Sequence, residues 1–489
     1  MLRFLYILSI LINLSLGDIA DDNTIVSITK SAKSGVLQLA SISDIIDVRD
    51  VPALWSGSSR RLSSTDAAVE ACLANTLSVE TMATIGVQVV KTAGEECNAT
   101  RDDVCRYLEQ AGEELDMVVL CEPNYTLKLE ITASTAISGG VRSSLSGLGV
   151  NDKYSSKQWN LDLIGMKDAW KLIEERDLRE VVVAVIDSGV DYRHEDLREN
   201  LFASDSCGYG YNFHDDNSDV SDVNGHGTHC AGILGAVTDN GVGVAGIARV
   251  KIMPLRVFGP DGTGDVRLAL EALNYAVEQG ADLSSHSYGS PDASSTFRLA
   301  ISRAAEQGHL VVAAAGNEGR DISVDKVYPC AFTEQVDMIC VASSGRTSDD
   351  QLASHSNYAP YVDIAAPGVE IPSTYPSNEY VYMTGTSMAT PHVTGVAAIL
   401  YSIGLSFDDI KKSIVESADG LNNRFNSEIG YFGRLNAEKA VEIGLTKPTI
   451  APKEKRSVGG EECIPQSSAA VLPYSRVSLV FVIFLLLFV

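Results

Sequence analysis

The feature of this sequence that most constrains its fold is an alternation of short apolar runs and helix-like stretches between residues 158 and 443. Continuous apolar runs of strand length are typical of strands buried on both faces of a sheet. Strands that alternate with helices predict an α/β fold, with a mainly parallel twisted sheet and helices on both faces. The predicted strands are residues 181–186, 251–258, 310–315 and 338–342, and the predicted helices are residues 227–236, 266–279 and one beginning at Ser387.

Polar side chains stand where two of these strands end. Asp187 follows residues 181–186, and Asn317 follows residues 310–315. Because ligand sites in parallel sheets lie at the carboxyl ends of strands, we expect both side chains in one site. Ser387 opens an apolar helix in the run Gly-Thr-Ser-Met-Ala-Thr-Pro-His-Val, and His226 lies in Asn-Gly-His-Gly-Thr-His-Cys-Ala-Gly.

These residue types fit acyl transfer. A serine hydroxyl is a weak nucleophile unless a base takes its proton and a donor stabilises the charge on the attacked carbonyl oxygen. His226 is the candidate base, Asp187 the carboxylate that orients it, and Asn317 the donor. Singly, each has a structural interpretation as a cap, a core histidine or an Asn-Glu-Gly turn. Together, in these flanking sequences, they favour the catalytic interpretation.

A zinc site is the competing interpretation, with His226, His229 and Cys230 as ligands. Helical zinc peptidases place two histidines four residues apart with a glutamate base between them. Here the spacing is three and the intervening residues are Gly and Thr. The sequence therefore disfavours zinc, and Cys230 is expected to pack as a small apolar residue under the site.

The three segments around Asp187, His226 and Ser387 resemble the subtilisin family of serine peptidases, whose triad has the chain order Asp, His, Ser. The resemblance covers residues 158–443 and implies a subtilisin-like fold. It implies that Ser387 is the nucleophile of a serine endopeptidase. It also implies that Asn317 and the backbone N–H of Ser387 form the oxyanion hole.

The resemblance further implies a set of substrate-binding residues. Ser287, Tyr288 and Gly289 match the family's Ser-Leu-Gly strand edge, which pairs with an extended peptide. Ala314 and Gly316 are implied to line the pocket for the residue on the acyl side of the cleaved bond.

The chain departs from the family pattern near this edge. Ser285 and His286 replace the usual asparagine and apolar residue just upstream of this edge. Val327 stands where glycine is common, so a shallow pocket floor is expected. Glu318 at the rim is expected to accept a basic substrate side chain.

A structural calcium ion is the implied cofactor. In the family, a glutamine near the mature start, an aspartate after the catalytic one and a loop after the histidine helix share one ion. Gln158, Asp196 and Asn240 match these positions, and their oxygens suit a hard cation. The loop is one residue longer than in well-known bacterial members, so Asp239 is an alternative to Asn240. An ordinary Asn-Gly turn is the structural alternative.

The N-terminal part predicts a secreted zymogen. Residues 1–17 have the basic start, apolar run and small residues of a signal peptide. Residues 18–125 are implied to be a small α+β propeptide that inhibits the enzyme. Residues 126–157, rich in Ser, Gly, Ala and Thr, predict a flexible linker with self-processing between residues 125 and 158.

Secretion permits disulfides and glycans. Of nine cysteines, four precede residue 125 and four lie in the central region. Four cysteines allow three pairings, so connectivity is open. Cys330 and Cys340 flank a short turn-and-strand segment and are predicted to pair. Asn98 and Asn124 lie in glycosylation sequons.

The C-terminal part changes in composition. Residues 444–470 predict a stalk, and residues 477–489 are apolar apart from Ser478. Small residues, the spacer 471–476 and this tail have the pattern of a signal that is exchanged for a glycosylphosphatidylinositol anchor. A tail removed in maturation, or one packed against a partner, is the alternative. The protein is expected to be extracellular, and to stay at the cell surface if the tail is exchanged for the lipid anchor.

The net charge of −26, from 64 acidic and 38 basic residues, argues against sequence-independent nucleic-acid binding.

The expected partners are protein or peptide substrates and the chain's own propeptide, with the enzyme acting as a monomer. The alternative function, from another class of protein, is that of a catalytically silent subtilisin-fold binding or adhesion protein. An intact set of Asp187, His226, Ser387 and Asn317 argues against it.

Overall fold

The computed structural model describes most of the central block and parts of the flanking regions. It describes residues 8–12, 23–28, 64–74, 78–82, 87–91, 101–114, 120–122, 124–129, 135–137, 147–203, 208–346, 352–421 and 433–451.

The strands and helices are numbered in chain order. The strands are β1 Leu8–Ile12, β2 Asn23–Ile28, β3 Ser78–Met82, β4 Val87–Lys91, β5 Leu120–Glu122, β6 Thr126–Lys128, β7 Thr135–Ala136, β8 Val182–Asp187, β9 Tyr211–Asn212, β10 Lys251–Arg256, β11 Thr263–Asp265, β12 Leu283–His286, β13 Leu310–Ala314, β14 Ile339–Ser344, β15 Ile364–Pro367, β16 Ile371–Tyr375 and β17 Glu379–Met383. The helices are α1 Ser64–Ala74, α2 Arg101–Glu114, α3 Trp159–Leu163, α4 Met166–Ile173, α5 His226–Gly235, α6 Val266–Glu278, α7 Ser295–Glu306, α8 Thr386–Ser402, α9 Phe407–Glu416 and α10 Ala437–Gly444.

The main sheet has seven parallel strands in the order β15-β14-β13-β12-β8-β10-β9. Strand β8 shows why the chain folds this way. Alternate residues from Val181 to Val185 pack into one buried apolar cluster. Val182, Ala184 and Ile186 pack into a second cluster with residues of α6 and α7. A strand covered on both faces needs an apolar run without alternation, and the predicted α/β sheet is confirmed.

Helix α8 is buried along its whole length, from Thr386 to Ser402. It packs against α5, which is also wholly buried, and against β12 to β15. Such all-round burial requires the small and apolar residues that both helices carry. The two helices thereby bring Ser387 and His226, each at a helix start, to the same end of the sheet.

The N-terminal part forms a separate α+β unit. Its five-stranded sheet has the order β3-β4-β2-β1-β5, in which β1 and β5 are parallel and the other pairs antiparallel. Strands β1 and β5 contact helix α7 of the larger unit. Strand β1 lies within the predicted signal peptide, whose removal from the precursor stays a prediction.

Within the predicted linker of residues 126–157, the described stretches 126–129, 135–137 and 147–157 are packed against the larger unit. Strand β6 pairs with β11, and β7 pairs with β17. Leu148, Val150 and Tyr154 are buried in the main core. These stretches are therefore packed parts of the fold, because their apolar side chains find partners on the larger unit.

The predicted disulfide between Cys330 and Cys340 is present, with the two Cα atoms 4.9 Å apart. It joins a short helical turn, Cys330–Glu334, to β14. Within the described part of the chain, no helix is long and apolar enough to cross a membrane. The stalk beyond residue 451 and the apolar tail lie outside the described residues.

Candidate active site

Asp187 and His226 form a buried pair. Asp187 is the last residue of β8, and His226 is the first residue of α5. His226 Nδ1 lies 2.8 Å from Asp187 Oδ1 and 3.0 Å from Oδ2. Gly225 precedes His226 with φ 99°, and a Cβ there would come within 2.1 Å of the Tyr375 ring. Glycine at this position lets the chain turn into the helix with the imidazole facing the carboxylate.

Two opposing effects act on the pKa of His226. Burial of the imidazole disfavours its charged form, and the adjacent Asp187 carboxylate favours it. The carboxylate prevails, so the pKa of His226 lies well above its ordinary value. The hydrogen bond at Nδ1 fixes the tautomer in which Nε2 carries a lone pair when the ring is neutral.

Ser387 is the second residue of α8, at the end where backbone N–H groups are unpaired and the helix dipole is positive. Its hydroxyl donates to the carbonyl of Ser287 at 3.1 Å, and the Ser287 hydroxyl donates to the Ser387 carbonyl at 3.0 Å. His226 Nε2 is buried without a hydrogen-bond partner. In this structure the Ser387 hydroxyl is therefore bonded to a backbone carbonyl and not to the imidazole.

Asn317 follows β13 and is held by the residue before the serine. Its Oδ1 accepts from the Thr386 backbone N–H at 2.7 Å and from the Thr386 hydroxyl at 3.1 Å. Its Nδ2 is buried and has no partner. A Cβ at Gly385, beside the serine helix, would lie 3.2 Å from that Nδ2. A turn-forming asparagine bonds its own backbone, so this orientation favours a side chain that presents donors to a ligand.

The predicted substrate edge follows β12. Gly289 forms an antiparallel bridge with Lys128, with N–O distances of 3.3 and 3.4 Å. Tyr288 is 2% exposed, and its hydroxyl contacts His286 Nδ1 at 2.6 Å. The edge is thus able to pair with an extended strand, and in this structure it pairs with one from the chain itself.

The predicted pocket residues Ala314 and Gly316 lie at the end of β13. Gly316 has φ 97°, and its N–H donates to the Thr386 hydroxyl at 3.2 Å. A Cβ on Gly316 would come within 2.6 Å of Asn357 Nδ2. The Glu318 carboxylate accepts from that same amide, and its side chain is exposed, so its contact with a basic substrate side chain stays a prediction.

The structure does not bring the three proposed zinc ligands together: His226 and Cys230 cluster with Asp187, within 4.8 Å of one another, but His229 is bonded elsewhere. His229 Nε2 faces the carbonyls of Ile371 and Val381 at 3.1 and 3.2 Å, away from His226. Burial lowers the pKa of His229 to about 3. Cys230 lies under the site, with Sγ 3.4 Å from the Ser387 carbonyl and 3.9 Å from His226 Nδ1.

The predicted calcium residues lie around one loop. Asp196 accepts from Asn240 Nδ2 at 2.8 Å and from the Val244 N–H at 2.9 Å. Gln158 bonds both backbone groups of Ala245 at 2.7 and 2.8 Å. Burial raises the pKa of Asp196 to about 7, and among the described residues no Lys or Arg forms an ion pair with it. A desolvated carboxylate favours a bound cation, but the side-chain oxygens of Asp196, Gln158 and Asn240 each accept from an N–H group in this structure, so calcium stays a prediction.

Sequence reasoning missed two features of the site. Thr386 aligns the Asn317 amide, and the Gly-Thr-Ser triplet was the signal that could have indicated it. The strand of residues 126–129 lies along the predicted substrate edge, with Thr126 and Lys128 exposed and Leu127 and Leu129 buried, and four alternating residues are too short a signal to reveal this in the sequence.

Comparison with known proteins identifies the family. Residues 179–431 match the model of the subtilase family of peptidases, which covers more than half of the chain. The chain therefore belongs to the subtilase family.

Named relatives give the activity. The chain is 38% identical over 294 residues to thermitase of Thermoactinomyces vulgaris, spanning 60% of this chain and 99% of thermitase. It is 33% identical to the halolysin-like extracellular serine protease Nep of Natrialba magadii, spanning 79% of this chain and 66% of Nep. A solved protease of Pseudoalteromonas arctica superposes with a TM-score of 0.52 at 29% identity, over 60% of this chain and 99% of that one. The chain is a serine-type endopeptidase with a subtilisin-like α/β fold.

Proposed function

We propose that Asp187, His226 and Ser387 are the triad of this endopeptidase and that Asn317 is its oxyanion donor. One observation carries the proposal: His226 Nε2 and Asn317 Nδ2 are both buried without partners at the end of the sheet where Ser387 opens α8. Leaving buried polar atoms unpaired costs stability, so such atoms point to a ligand that supplies their partners.

In this mechanism the Ser387 Oγ attacks a peptide carbonyl while His226 Nε2 takes its proton. Asp187 holds the imidazole and stabilises its cation. The carbonyl oxygen becomes an oxyanion that accepts from Asn317 Nδ2 and the Ser387 N–H. His226 then protonates the leaving amine, and water releases the acyl group by the same steps in reverse.

A fluorophosphonate probe tests the assignment. The wild-type chain, after self-processing, should be labelled, and Ser387→Ala should be folded, unlabelled and at least ~10⁴-fold less active. Ser402→Ala, at the other end of the same helix, is the matched control and should keep both labelling and activity. A wild-type protein that is neither labelled nor active on casein would instead support the silent binding protein.

The chain is also proposed to be a zymogen with an N-terminal inhibitory propeptide. The support lies in the contacts of the segment that leaves the small unit. Glu122 accepts from the Ser295 N–H at 2.7 Å at the start of α7, and Asn124 accepts from the Arg267 N–H at 3.1 Å at the start of α6. The next residues occupy the substrate edge. A strand bonded there excludes other substrates.

Calcium, secretion and anchoring complete the proposal. A calcium ion held by Gln158, Asp196 and Asn240 would neutralise the buried Asp196 carboxylate and stiffen the loop at residues 239–245. The signal peptide at residues 1–17 and the relation to an extracellular protease support secretion. The lipid anchor is proposed from the composition of residues 471–489 alone, and the enzyme is proposed to act as a monomer.

A further inference from the structure

Helix α8 contains a proline four residues after the proposed nucleophile. Pro391 lies inside the helix, which begins at Thr386 and is buried along its whole length. A proline has no backbone N–H, so the carbonyl four residues before it loses its helical hydrogen-bond partner. That carbonyl belongs to Ser387. Because a buried carbonyl without a donor is costly, it needs a donor from outside the helix backbone.

Two side chains donate to the Ser387 carbonyl. The Ser287 hydroxyl lies 3.0 Å from its oxygen, and the Cys230 thiol lies 3.4 Å from it. Both side chains belong to residues that are 1% exposed, so water does not compete for these bonds. Ser287 directly follows β12, and Cys230 lies on α5. The two donors therefore tie two separate elements to the first turn of α8.

The Cys230 thiol is kept in the form that donates. Burial raises the pKa of Cys230, so the sulfur holds its proton at neutral pH. His226 Nδ1, 3.9 Å from the sulfur, donates to Asp187 at 2.8 Å and so offers the thiol no lone pair. The Ser387 carbonyl does offer one. Cys230 is thus more than the small apolar residue that the sequence led us to expect.

The carbonyls on either side of Ser387 are satisfied differently. The Thr390 hydroxyl donates to the Thr386 carbonyl at 2.9 Å, and His392 Nδ1 donates to the Met388 carbonyl at 2.8 Å. These donors belong to α8 itself and move with it. Among these three carbonyls, the one of Ser387 accepts from side chains of other elements. The position of Ser387 relative to α5 and to the substrate edge is therefore set at its carbonyl.

This anchor has a use when the nucleophile reacts. The Ser387 hydroxyl here donates to the Ser287 carbonyl at 3.1 Å, whereas in the proposed mechanism it gives its proton to His226. That change ends one of the two hydrogen bonds between the serines. The bonds to the Ser387 carbonyl persist, because only the side chain has to rotate. They hold the Ser387 backbone in place, and a misplacement of about 1 Å at a reacting group can cost about 10²-fold in rate.

We propose that the Cys230 thiol and the Ser287 hydroxyl replace the N–H that Pro391 lacks, and that both are positioning residues for the nucleophile. This inference rests on the proposed function. Neither side chain exchanges a proton with the substrate in this role. Their loss should therefore lower kcat and leave KM nearly unchanged.

Substitutions at Cys230 distinguish a hydrogen-bond donor from an apolar filler. Cys230→Ser keeps a donor, whereas Cys230→Ala keeps a small apolar side chain without one. For a donor, Cys230→Ala should lose about five- to tenfold in kcat, and Cys230→Ser should stay within about threefold of wild type. For a filler the order reverses, because serine adds a polar group to an apolar site. Rates are expressed per fluorophosphonate-labelled molecule, so that misfolded protein does not contribute.

The Ser287 hydroxyl is tested in the same way. Ser287→Ala should lose about tenfold in kcat with KM within about twofold of wild type, because its backbone edge is unchanged. Ser402→Ala is the matched control: its hydroxyl donates to the Ile399 carbonyl at 2.7 Å at the other end of α8. It should keep kcat. A Ser287→Ala variant with normal kcat would overturn the role of the hydroxyl.

Pro391→Ala supplies the missing N–H and tests the origin of the effect. In that background Cys230→Ala should lose less than about twofold in kcat, because the helix backbone then donates to the Ser387 carbonyl. An equal loss with proline and with alanine at position 391 would overturn the inference.

Casein hydrolysis and fluorophosphonate labelling of the wild-type enzyme separate this inference from the proposed function. An active, labelled wild type in which Cys230→Ser is no better than Cys230→Ala overturns the inference and leaves the proposed function intact. A wild type without Ser387-dependent activity overturns both.

Discussion

The proposed catalytic centre and the strand along its predicted substrate edge are held in place by different kinds of hydrogen bond. Asp187, His226 and Asn317 are fixed by side-chain hydrogen bonds to particular atoms. Residues 126–129 are fixed by backbone hydrogen bonds on both edges. A substitution at the centre removes a hydrogen-bonding atom that no other residue supplies. A substitution in the strand leaves its backbone bonds intact, so it should change affinity and selectivity more than the chemistry.

Asp187→Asn should have the largest effect. An amide at this position no longer fixes the His226 tautomer, and kcat should fall by about 10⁴-fold. The carboxylate also raises the pKa of His226, and only the neutral ring acts as a base. Its removal lowers that pKa, so the acid limb of the residual activity should shift to lower pH. A pH profile of kcat/KM for casein or a peptide measures both effects. An unshifted acid limb would mean that another group controls it.

Asn317→Ala should have the next largest effect. In the proposed mechanism its Nδ2 donates to the oxyanion, which develops only on the way to the tetrahedral state, so kcat should fall by about 10²–10³-fold with KM nearly unchanged. Asn274→Ala, whose amide bonds Glu278 on helix α6, is the matched control. A normal kcat with a raised KM would reassign Asn317 to binding of the ground state.

The same division between side-chain and backbone contacts explains which parts of the structure could be predicted from the sequence. Asp187 and Asn317 end continuous apolar strands, and Ser387 and His226 sit in local motifs, so the sheet and the candidate centre were readable from short stretches. The docking of residues 126–129 could not be predicted from the sequence. Its partners, Gly264 and Gly289, are remote in sequence and carry no side chain that marks them. A four-residue strand in a Ser- and Thr-rich stretch has too little local signal to be separated from a linker.

The buried hydrogen bonds of His286 show the same limit of prediction from the sequence. The sequence identified His286 as a departure from the family pattern. It could not identify the hydrogen-bond partners of His286. Ser284 and Tyr288 come next to His286 only because side chains two residues apart lie on the same face of a strand. His309, which bonds Ser284, immediately precedes the neighbouring strand. Pairing between strands depends on register, which local patterns do not specify for a fully buried sheet.

Glu122→Ala should weaken the docked strand about tenfold while leaving the centre unchanged. Its carboxylate accepts from the Ser295 N–H at the positive end of α7, an interaction that a charged group strengthens. Hydrogen exchange of residues 124–129 in the uncleavable Ser387→Ala chain measures the docking. Glu306→Ala, at the other end of α7, is the control and should leave protection at residues 124–129 unaltered. Equal protection in both variants would show that backbone pairing alone holds the strand.

Removal of calcium should have the smallest effect on catalysis, because the loop at residues 239–245 touches neither the triad nor the docked strand in the contacts described above. The folded chain would bind the ion and the unfolded chain would not, so calcium at about 100 times its Kd should add about 2.7 kcal/mol to the free energy of unfolding. Thermal melts with calcium or excess chelator measure the shift, and kcat at moderate temperature should stay within about twofold. Asp196→Ala should abolish the calcium dependence, whereas Asp337→Ala, on the surface away from the loop, should retain it. A melting temperature indifferent to chelator, or a calcium response that survives Asp196→Ala, would remove Asp196 from the ion's ligands.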